Sequence, residues 1–344
     1  MGVRRGERRD VHVRVSEGLS GAGIDVPVRV WRGGRSGPVV FVTGAVHGDE
    51  VNGTGTVRRL ILDPPFELAG GTLVLVPVLN TLAFERHMRY LPDRRDLNRC
   101  FPGSAAGSLA SRIAHRLFTQ IVERCDYGID LHSAAVGRTN FPNVRGDLAD
   151  PAVERLAMAF GCEVVLDGAG PQGSLRRAAC ASGRPTILLE AGEVWKVEPG
   201  MVAYGVRGIR NVLIELGLVE GEPEAPLYRA VVDRAFWVRA EVGGFLEFHV
   251  SPGELVRAGD ALATNSSMLG EERNVLTAPE DAVVIGMTTQ PAVVPGLPVC
   301  HLAVPRGGVA PIARALRRRP SGHLLHRVRR QLSRSMVVRR PRER

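Results

Sequence analysis

Residues 38–50 read PVVFVTGAVHGDE, an almost wholly apolar run followed by a glycine-rich turn. An uninterrupted apolar run of this length is typical of a strand buried on both faces of a sheet. The next segment, residues 52–62 (NGTGTVRRLIL), is compatible with a helix. The stretch therefore predicts a strand, a turn and a helix in succession, which is the repeating unit of α/β folds.

The same alternation continues to about residue 190. Apolar runs and helical spacing predict further strands at 25–31, 72–79, 127–132 and 185–190 and helices at 108–124 and 151–160. We therefore predict an α/β fold with a largely parallel or mixed sheet flanked by helices. In such sheets ligands bind beyond the carboxyl ends of the strands.

A different pattern begins near Pro223. From about residue 227 to residue 304, short β-type runs are separated by Gly, Pro, Asn and Asp, which predicts a small all-β module of half-barrel or sandwich type. We accordingly predict three regions: an α/β domain at 1–222, a β module at 223–305 and an arginine-rich tail at 306–344.

The β module resembles a biotinyl or lipoyl half-barrel in its turns, VSPG at 250–253 and VRAGD at 256–260. A carrier of either group needs a lysine to accept it. The only lysine of the chain is Lys196, which lies outside the module. We therefore expect no covalent lipoyl or biotinyl group, and we interpret the module as a structural wall or lid.

Composition favours an ordinary globular protein. Of 344 residues, 44% are apolar and 24% charged, and no run approaches the roughly 20 apolar residues that a membrane span needs. The basic N-terminal residues are not followed by the apolar segment of a secretory signal. The five cysteines are odd in number and widely spaced, which predicts reduced thiols and a cytoplasmic location.

The net charge of +9 is unevenly distributed. Residues 314–344 contain twelve arginines and one acidic residue, a charge of +11, so the other 313 residues sum to −2. The high pI therefore does not indicate that the body of the protein binds nucleic acid.

Within the tail, Leu325, Val328, Leu332 and Met336 recur at near-helical spacing. We interpret the tail as a solvated, partly disordered extension. The alternative is a basic amphipathic helix that makes weak contact with anionic membrane, RNA or an acidic partner. We expect removal of residues 314–344 to leave any active site intact.

The segment after the first strand carries a candidate metal site. His47 and Glu50 lie three residues apart in a turn and can converge on one ion, and His132 ends the predicted strand at 127–132. Zinc is commonly held by two histidines and a carboxylate, with a fourth position left for water. Each residue alone is equally compatible with a surface turn or a core histidine.

Glu190 closes another apolar strand, where a carboxylate is costly unless it is paired or used. A general base beside a metal site is such a use. In the loop RYLPDRRDLNRCFPG at 89–103, Asn98 and Arg99 suit a carboxylate ligand, since guanidinium and amide groups both donate hydrogen bonds. The alternative for this loop is a charged surface segment.

Four blocks together resemble one known family. TGAVHGDEVNG at 43–53, RDLNRCFPG at 95–103, DLHSA at 130–134 and LLEAGE at 188–193 are similar, in sequence and order, to the succinylglutamate desuccinylase/aspartoacylase family of the zinc carboxypeptidase superfamily. One departure is Ala191-Gly192-Glu193, where aspartoacylases have Val-Gly-Pro. The acidic Glu193 beside the predicted base argues against aspartoacylase-like substrate specificity.

The resemblance implies a zinc-carboxypeptidase-like mixed sheet and one Zn²⁺ per chain. It makes His47, Glu50 and His132 the zinc ligands, Asn98 and Arg99 the clamp on a substrate carboxylate, and Glu190 the general base. It assigns polarisation of the scissile carbonyl to an upstream arginine, for which Arg89 fits best and Arg94 and Arg95 compete. Asp96 is expected to support the loop or the metal ligands.

These observations predict a zinc-dependent amidohydrolase that removes an acyl group from an N-acyl amino acid or related small amide. The alternative is a zinc carboxypeptidase acting on short peptides, which shares the metal, the base and the clamp. A third alternative is a metal site that has lost activity. The sequence leaves the acyl group, the amine and homo-oligomerisation open.

Overall fold

The computed structural model describes residues 3–317 and 324–334. Its strands are β1 (Arg8–Glu17), β2 (Gly23–Arg32), β3 (Arg35–Gly44), β4 (Gly70–Val76), β5 (Tyr127–His132), β6 (Arg138–Gly146), β7 (Val164–Asp167), β8 (Thr186–Gly192), β9 (Ala230–Arg239), β10 (Gly244–Phe248), β11 (Leu255–Val256), β12 (Ala261–Ser266), β13 (Glu272–Thr277), β14 (Ala282–Thr288), β15 (Ala292–Val293) and β16 (Pro298–Pro305). Its helices are α1 (Val51–Leu62), α2 (Thr81–Phe84), α3 (Leu109–Gln120), α4 (Pro151–Ala159), α5 (Leu175–Ala181), α6 (Pro199–Glu215), α7 (Ala310–Arg317) and α8 (Leu324–Arg334).

The strands form a mixed sheet of twelve in the order β1-β2-β4-β3-β5-β8-β6-β7-β9-β16-β14-β11. Its centre is parallel, since β3 pairs in parallel with both β4 and β5, and β5 pairs in parallel with β8. The mixed α/β architecture predicted from the sequence is confirmed. The carboxyl ends of β3, β5 and β8 therefore meet at one edge.

Helices cover both faces of the sheet because the central strands are apolar on both faces. In β3, Val40 and Val42 pack with α1, α4 and α6, whereas Phe41 between them packs with α3 on the other face. This alternation follows from the two-residue period of a strand. It fixes which strand residues can face any ligand at the edge.

Helix α1 lies unusually close to the end of the sheet. A Cβ atom on Gly44 would come within 2.8 Å of the Gly53 backbone, and one on Gly53 within 2.9 Å of Leu131. Glycine at both positions therefore lets the first turn of α1 contact the ends of β3 and β5. Glu50, which directly precedes α1, is held at the same place.

Strands are the only regular elements of the segment 230–305, and they are divided between the large sheet and a second, smaller one. Strand β9 pairs with β7, and β16, β14 and β11 continue the large sheet from β9. Strand β14 also pairs with β6, which closes β6, β7, β9, β16 and β14 into a ring. A second sheet, β13-β12-β10-β15, packs beside it. The predicted β module thus shares hydrogen-bonded strands with the α/β part.

Helix α6 was not predicted from the sequence. The 17-residue helix α6 contains three glycines, which disfavour a helix on propensity alone. Burial of residues such as Tyr204, Ile209 and Leu213 against the sheet outweighs that preference.

In the tail, Leu325, Val328 and Leu332 are buried on α8, and Met336 lies outside the described residues. None of the described helices combines the length and apolarity of a membrane span.

Candidate metal centre and substrate cavity

His47, Glu50 and His132 come together at the carboxyl edge of the sheet. One ligand atom from each lies within 4.8 Å of the others, and the three side chains are buried. The turn after β3 supplies His47 and Glu50, and the last residue of β5 supplies His132. Residues separated by 82 positions therefore meet because β3 and β5 are parallel neighbours.

In both histidines, each ring nitrogen lies within hydrogen-bond distance of a carboxylate oxygen. Nδ1 of His47 lies 2.6 Å from Oε1 of Glu50, and Nδ1 of His132 lies 2.9 Å from Oε2 of Glu50. The Nε2 atoms lie 3.1 Å from Asp96 and 2.9 Å from Asp130 respectively. A carboxylate behind each imidazole orients the ring and strengthens it as a ligand.

Charge in this centre is set by competition between burial and ion pairing. Burial alone would raise the pKa of the Glu50 carboxyl, but the charges and hydrogen bonds of His47 and His132 hold that pKa well below its usual range. Burial alone would lower the pKa of each imidazole, but Glu50 and Asp96 raise the pKa of His47, and Asp130 and Glu50 raise that of His132. The carboxylates therefore favour positive charge at both rings, whether a proton or a metal ion supplies it.

The donor set fits zinc. Two imidazole nitrogens and one carboxylate oxygen, each backed by further hydrogen bonds, are the protein ligands of many catalytic zinc sites. Ser133 adds rigidity, since its backbone N–H donates to Oε2 of Glu50 at 2.9 Å. The three residues face a cavity, so a fourth coordination position is open to solvent or substrate.

This cavity has a volume of about 250 Å³, and its lining includes the three candidate metal ligands, the two clamp candidates, Arg89 and Glu190. Asp96, expected to support them, does not line the cavity and contacts His47 instead. The cavity is lined by His47, Glu50, Arg89, Asn98, Arg99, His132, Ser133, Ala134, Ala135, Arg138, Asn140, Arg145, Pro171, Ser174, Arg176, Leu188, Glu190, Trp237 and His301. A cavity of about 360 Å³ lined by Val3, Val39 and Cys125 is larger but contains none of these residues.

Of the three arginines considered for polarising the scissile carbonyl, only Arg89 lines the cavity. Arg89 donates to Glu50 at 3.0 Å and to Asp96 at 3.2 Å, beside the metal ligands. Arg94 and Arg95 do not line the cavity, and Arg95 pairs with Asp93 at 3.1 Å. Position therefore favours Arg89 over its two competitors.

Asn98 and Arg99 lie next to each other on the cavity. The side-chain oxygen of Asn98 accepts from the N–H of Leu175 at 2.8 Å, which fixes the amide at the start of α5. Its Nδ2 group has no protein partner in the described part of the chain and is available to a ligand. Arg99 donates to the Asn98 carbonyl at 2.7 Å through one nitrogen of its guanidinium.

Glu190 faces the cavity from β8, directly opposite His132 in the sheet register. Asn140 donates to its Oε2 at 3.0 Å, and Arg145 lies 3.8 Å from its Oε1. Glu193, the other acid of this segment, does not line the cavity and pairs with Lys196 at 2.8 Å. Of the two carboxylates, only Glu190 faces the cavity.

The remaining part of the cavity, here called the arginine side, consists of Arg138, Arg145, Arg176, Trp237 and His301. Arg138 lies over the Trp237 ring at 4.9 Å, and Trp237 stacks on His301 at 4.7 Å with the rings 8° apart. Burial, Arg145 and Arg138 lower the pKa of His301 to about 3, so it is neutral near pH 7. No carboxylate among the described residues pairs with Arg138 or Arg176.

Comparison with known proteins agrees with this geometry. Residues 36–216 match the model of the succinylglutamate desuccinylase/aspartoacylase catalytic domain. The chain belongs to this family. The matched region is more than half of the chain and includes the metal ligands, the clamp candidates and Glu190.

Individual relatives are named as deacylases. An N-alpha-acetyl-L-2,4-diaminobutyric acid deacetylase of Halomonas elongata is 31% identical over 250 residues, which cover 69% of this chain and 73% of that protein. The crystal structure of a succinylglutamate desuccinylase/aspartoacylase from Rhodobacter sphaeroides is 28% identical, with a TM-score of 0.77 over 88% of this chain and 96% of that one.

A further structure supports the fold alone. The product-bound ectoine utilization protein EutE (DoeB) of Ruegeria pomeroyi is 23% identical, with a TM-score of 0.77 over 88% of this chain and 97% of that one. These neighbours match nearly their whole length, so the shared fold includes the strands after residue 230. The family is one of hydrolases that act on amide bonds.

Sequence reasoning missed two sets of residues in this family's site. Asp130 lies two residues before His132 on the same strand, and the two-residue period of a strand would have placed both on one face. Trp237 and His301 reach the cavity because β9 and β16 pair with these two residues opposite each other. No local pattern in the sequence indicates that pairing.

Proposed function

We propose that the chain is a zinc-dependent deacylase that hydrolyses the amide bond of a small N-acylated amino acid. One observation carries the proposal: the His47–Glu50–His132 cluster, the Asn98–Arg99 pair and Glu190 line the same cavity of about 250 Å³. Family membership supports amide hydrolysis, and the donor set supports zinc.

Zinc held by His47, Glu50 and His132 would supply a Lewis acid that polarises an amide carbonyl and makes water nucleophilic near neutral pH. Asn98 Nδ2 and the Arg99 guanidinium bind the substrate carboxylate. Glu190, oriented by Asn140, takes a proton from the attacking water and returns it to the leaving nitrogen. Arg89 contributes positive charge beside the reacting carbonyl.

The arginine side narrows the substrate class. The Halomonas elongata relative is named for a diaminobutyric acid derivative, whose free side-chain amine is cationic. In this chain Arg138, Arg145 and Arg176 would repel such a group, and Glu190 is the one acid among the described residues that lies beside them on the cavity, 3.8 Å from Arg145. A substrate with a neutral or anionic far end is therefore favoured.

A carboxypeptidase acting on short peptides is the second candidate. It would use the same ligands, base and clamp, and the clamp is well suited to a C-terminal carboxylate. Against it stands the small size of the cavity, whose lining includes the bulky rings of Trp237 and His301. A cavity of this volume suits a small acyl group better than a peptide.

The test is release of amine by the full chain loaded with zinc. The panel contains N-acetyl and N-succinyl derivatives of aspartate, glutamate, alanine and 2,4-diaminobutyrate, together with dipeptides. We expect the derivatives of neutral or acidic amino acids to be cleaved fastest and their carboxamide analogues to be poor substrates. Faster cleavage of dipeptides would favour the carboxypeptidase, and no release from any compound by zinc-loaded protein would contradict both.

A further inference from the structure

Helix α8 of the arginine-rich tail is packed into the catalytic part of the molecule. Leu325, Val328 and Leu332, one apolar face of the helix, are at most 1% exposed and belong to the same core as α1, α4 and α6. The exposed face carries arginines such as Arg327. The apolar face is therefore already buried against the protein itself.

The contact with α6 is specific as well as apolar. The backbone N–H of Gly200, in the first turn of α6, donates to Oε1 of Gln331 at 3.1 Å. A Cβ atom on residue 200 would lie 2.5 Å from that oxygen, so a larger residue here would displace the Gln331 amide from this position. Nε2 of Gln331 donates to Oε1 of Glu198 at 3.4 Å.

Glu198 connects this contact to the active-site strand. Its Oε2 accepts from the backbone N–H of Glu193 at 2.8 Å and from Nδ2 of Asn52 at 3.0 Å. Asn52 Nδ2 also lies 3.3 Å from the carbonyl of Ala191 and 3.1 Å from that of Glu193. The side chain of Glu198 is buried and pairs with no cation among the described residues.

These hydrogen bonds connect the segment that carries Glu190 with the segment that carries Glu50. Ala191 directly follows Glu190, the proposed base, and Asn52 lies two residues after the metal ligand Glu50. A single buried carboxylate thus joins the end of β8, the start of α1 and the tail helix. Because an unsatisfied buried carboxylate is costly, loss of one donor shifts the groups that share it.

We propose that Glu198 and Gln331 are positioning residues that fix Glu190 relative to the metal ligands, and that α8 is part of the catalytic unit. The proposal rests on the proposed deacylase function. It also revises the expectation that residues 314–344 can be removed without effect on the active site. Removing them would expose the core beneath Leu325, Val328 and Leu332 and leave Oε1 of Glu198 without its Gln331 donor.

A negative charge introduced at this contact tests whether Gln331 positions Glu198 or merely fills space. Gln331→Glu keeps the size of the side chain and its acceptor for Gly200, but places a carboxylate against Glu198. We expect kcat to fall about tenfold near pH 8 with KM within about twofold, because two like charges then face each other inside the protein. The double variant Glu198→Gln/Gln331→Glu restores one donor and one carboxylate and should recover most of kcat.

Arg327→Ala, on the exposed face of the same helix, is the matched control and should leave kcat unchanged. Hydrogen exchange of residues 190–198 gives a readout that does not depend on turnover, and it should quicken in Gln331→Glu, return in the double variant and stay unchanged in Arg327→Ala. Unchanged exchange in Gln331→Glu, or exchange that the double variant does not restore, would overturn the proposal. Altered exchange in a protein that cleaves no substrate would instead contradict only the deacylase function.

Discussion

The two sides of the active-site cavity differ in charge and in origin. On the metal side, His47, Glu50 and His132 are surrounded by Asp96 and Asp130, so negative groups dominate. On the arginine side, Arg138 and Arg176 have no carboxylate partner within the described residues. The metal side favours a cation, whereas the arginine side presents positive charge without a carboxylate partner. We propose that a small N-acyl amino acid with a neutral or anionic far end suits this arrangement.

Loss of a histidine on the metal side should have the largest effect. His47→Ala or His132→Ala removes one of three protein ligands, so we expect most of the zinc and nearly all turnover to be lost. His12→Ala, an exposed histidine on β1, serves as the control. Zinc per chain is measured by elemental analysis alongside thermal unfolding. Full zinc retention in either ligand variant would show that the metal side is misassigned.

Loss of the proposed base, Glu190, should cause the second-largest loss of turnover. Glu190→Gln keeps the hydrogen-bonding shape of the side chain and should retain zinc, while kcat falls by about 10²–10⁴-fold because acid–base catalysis is lost. Glu193→Gln is the matched control, since Glu193 pairs with Lys196 outside the cavity. If the control falls further than Glu190→Gln, the base is Glu193 and the comparison of the two acids is wrong.

The clamp should have a smaller and selective effect. Arg99→Ala removes a charge-assisted contact, so kcat/KM for substrates with a free carboxylate should drop by about one to two orders of magnitude. The carboxamide analogues of the same substrates should change little. Arg94→Ala, outside the cavity, is the control. An equal loss for acids and carboxamides would mean that Arg99 supports the loop and does not bind the carboxylate.

The smallest predicted effect concerns His301 and stability. Its folded-state pKa of about 3 lies below the ordinary value, so as the pH falls from about 6.5 towards 3 the unfolded chain gains a proton that the folded chain does not. This residue therefore lowers the free energy of unfolding in that window, by on the order of 1–2 kcal/mol at pH 5. His301→Gln should lose less stability than the parent between pH 7 and pH 5 in urea unfolding. An equal loss in both proteins would mean that His301 is charged beside the arginines.

The same comparison explains what the sequence could predict. The metal side lies at the ends of long apolar strands, so the sequence patterns of β3 and β5 are sufficient to predict that His47, Glu50 and His132 lie at one edge of the sheet. The arginine side depends on β6 pairing with β14 and β9 with β16, which are contacts between residues far apart in sequence. Arginines are also frequent throughout this chain, so Arg138 carried no signal of its own.

The tail shows the same limit. Spacing is compatible with a helix that has an apolar face at Leu325, Val328 and Leu332, but the high charge favoured a solvated extension, with contact to an external surface as the alternative. In the structure this face packs on α6, whose own helical character is weakened locally by glycine. Tertiary burial, which a local pattern does not encode, decides both elements. Contact of the exposed arginines with membrane, RNA or an acidic partner stays a prediction.

The central claim is that one zinc ion in the His47–Glu50–His132 cluster makes this chain a deacylase. It is tested most directly by stripping the metal with a chelator and titrating zinc back while the rate of amine release from the best N-acyl amino acid is followed. We predict that activity vanishes on stripping and returns linearly up to about one equivalent of zinc per chain, with no return in His132→Ala. Activity that survives complete removal of metal, or that returns equally in His132→Ala, would contradict the account.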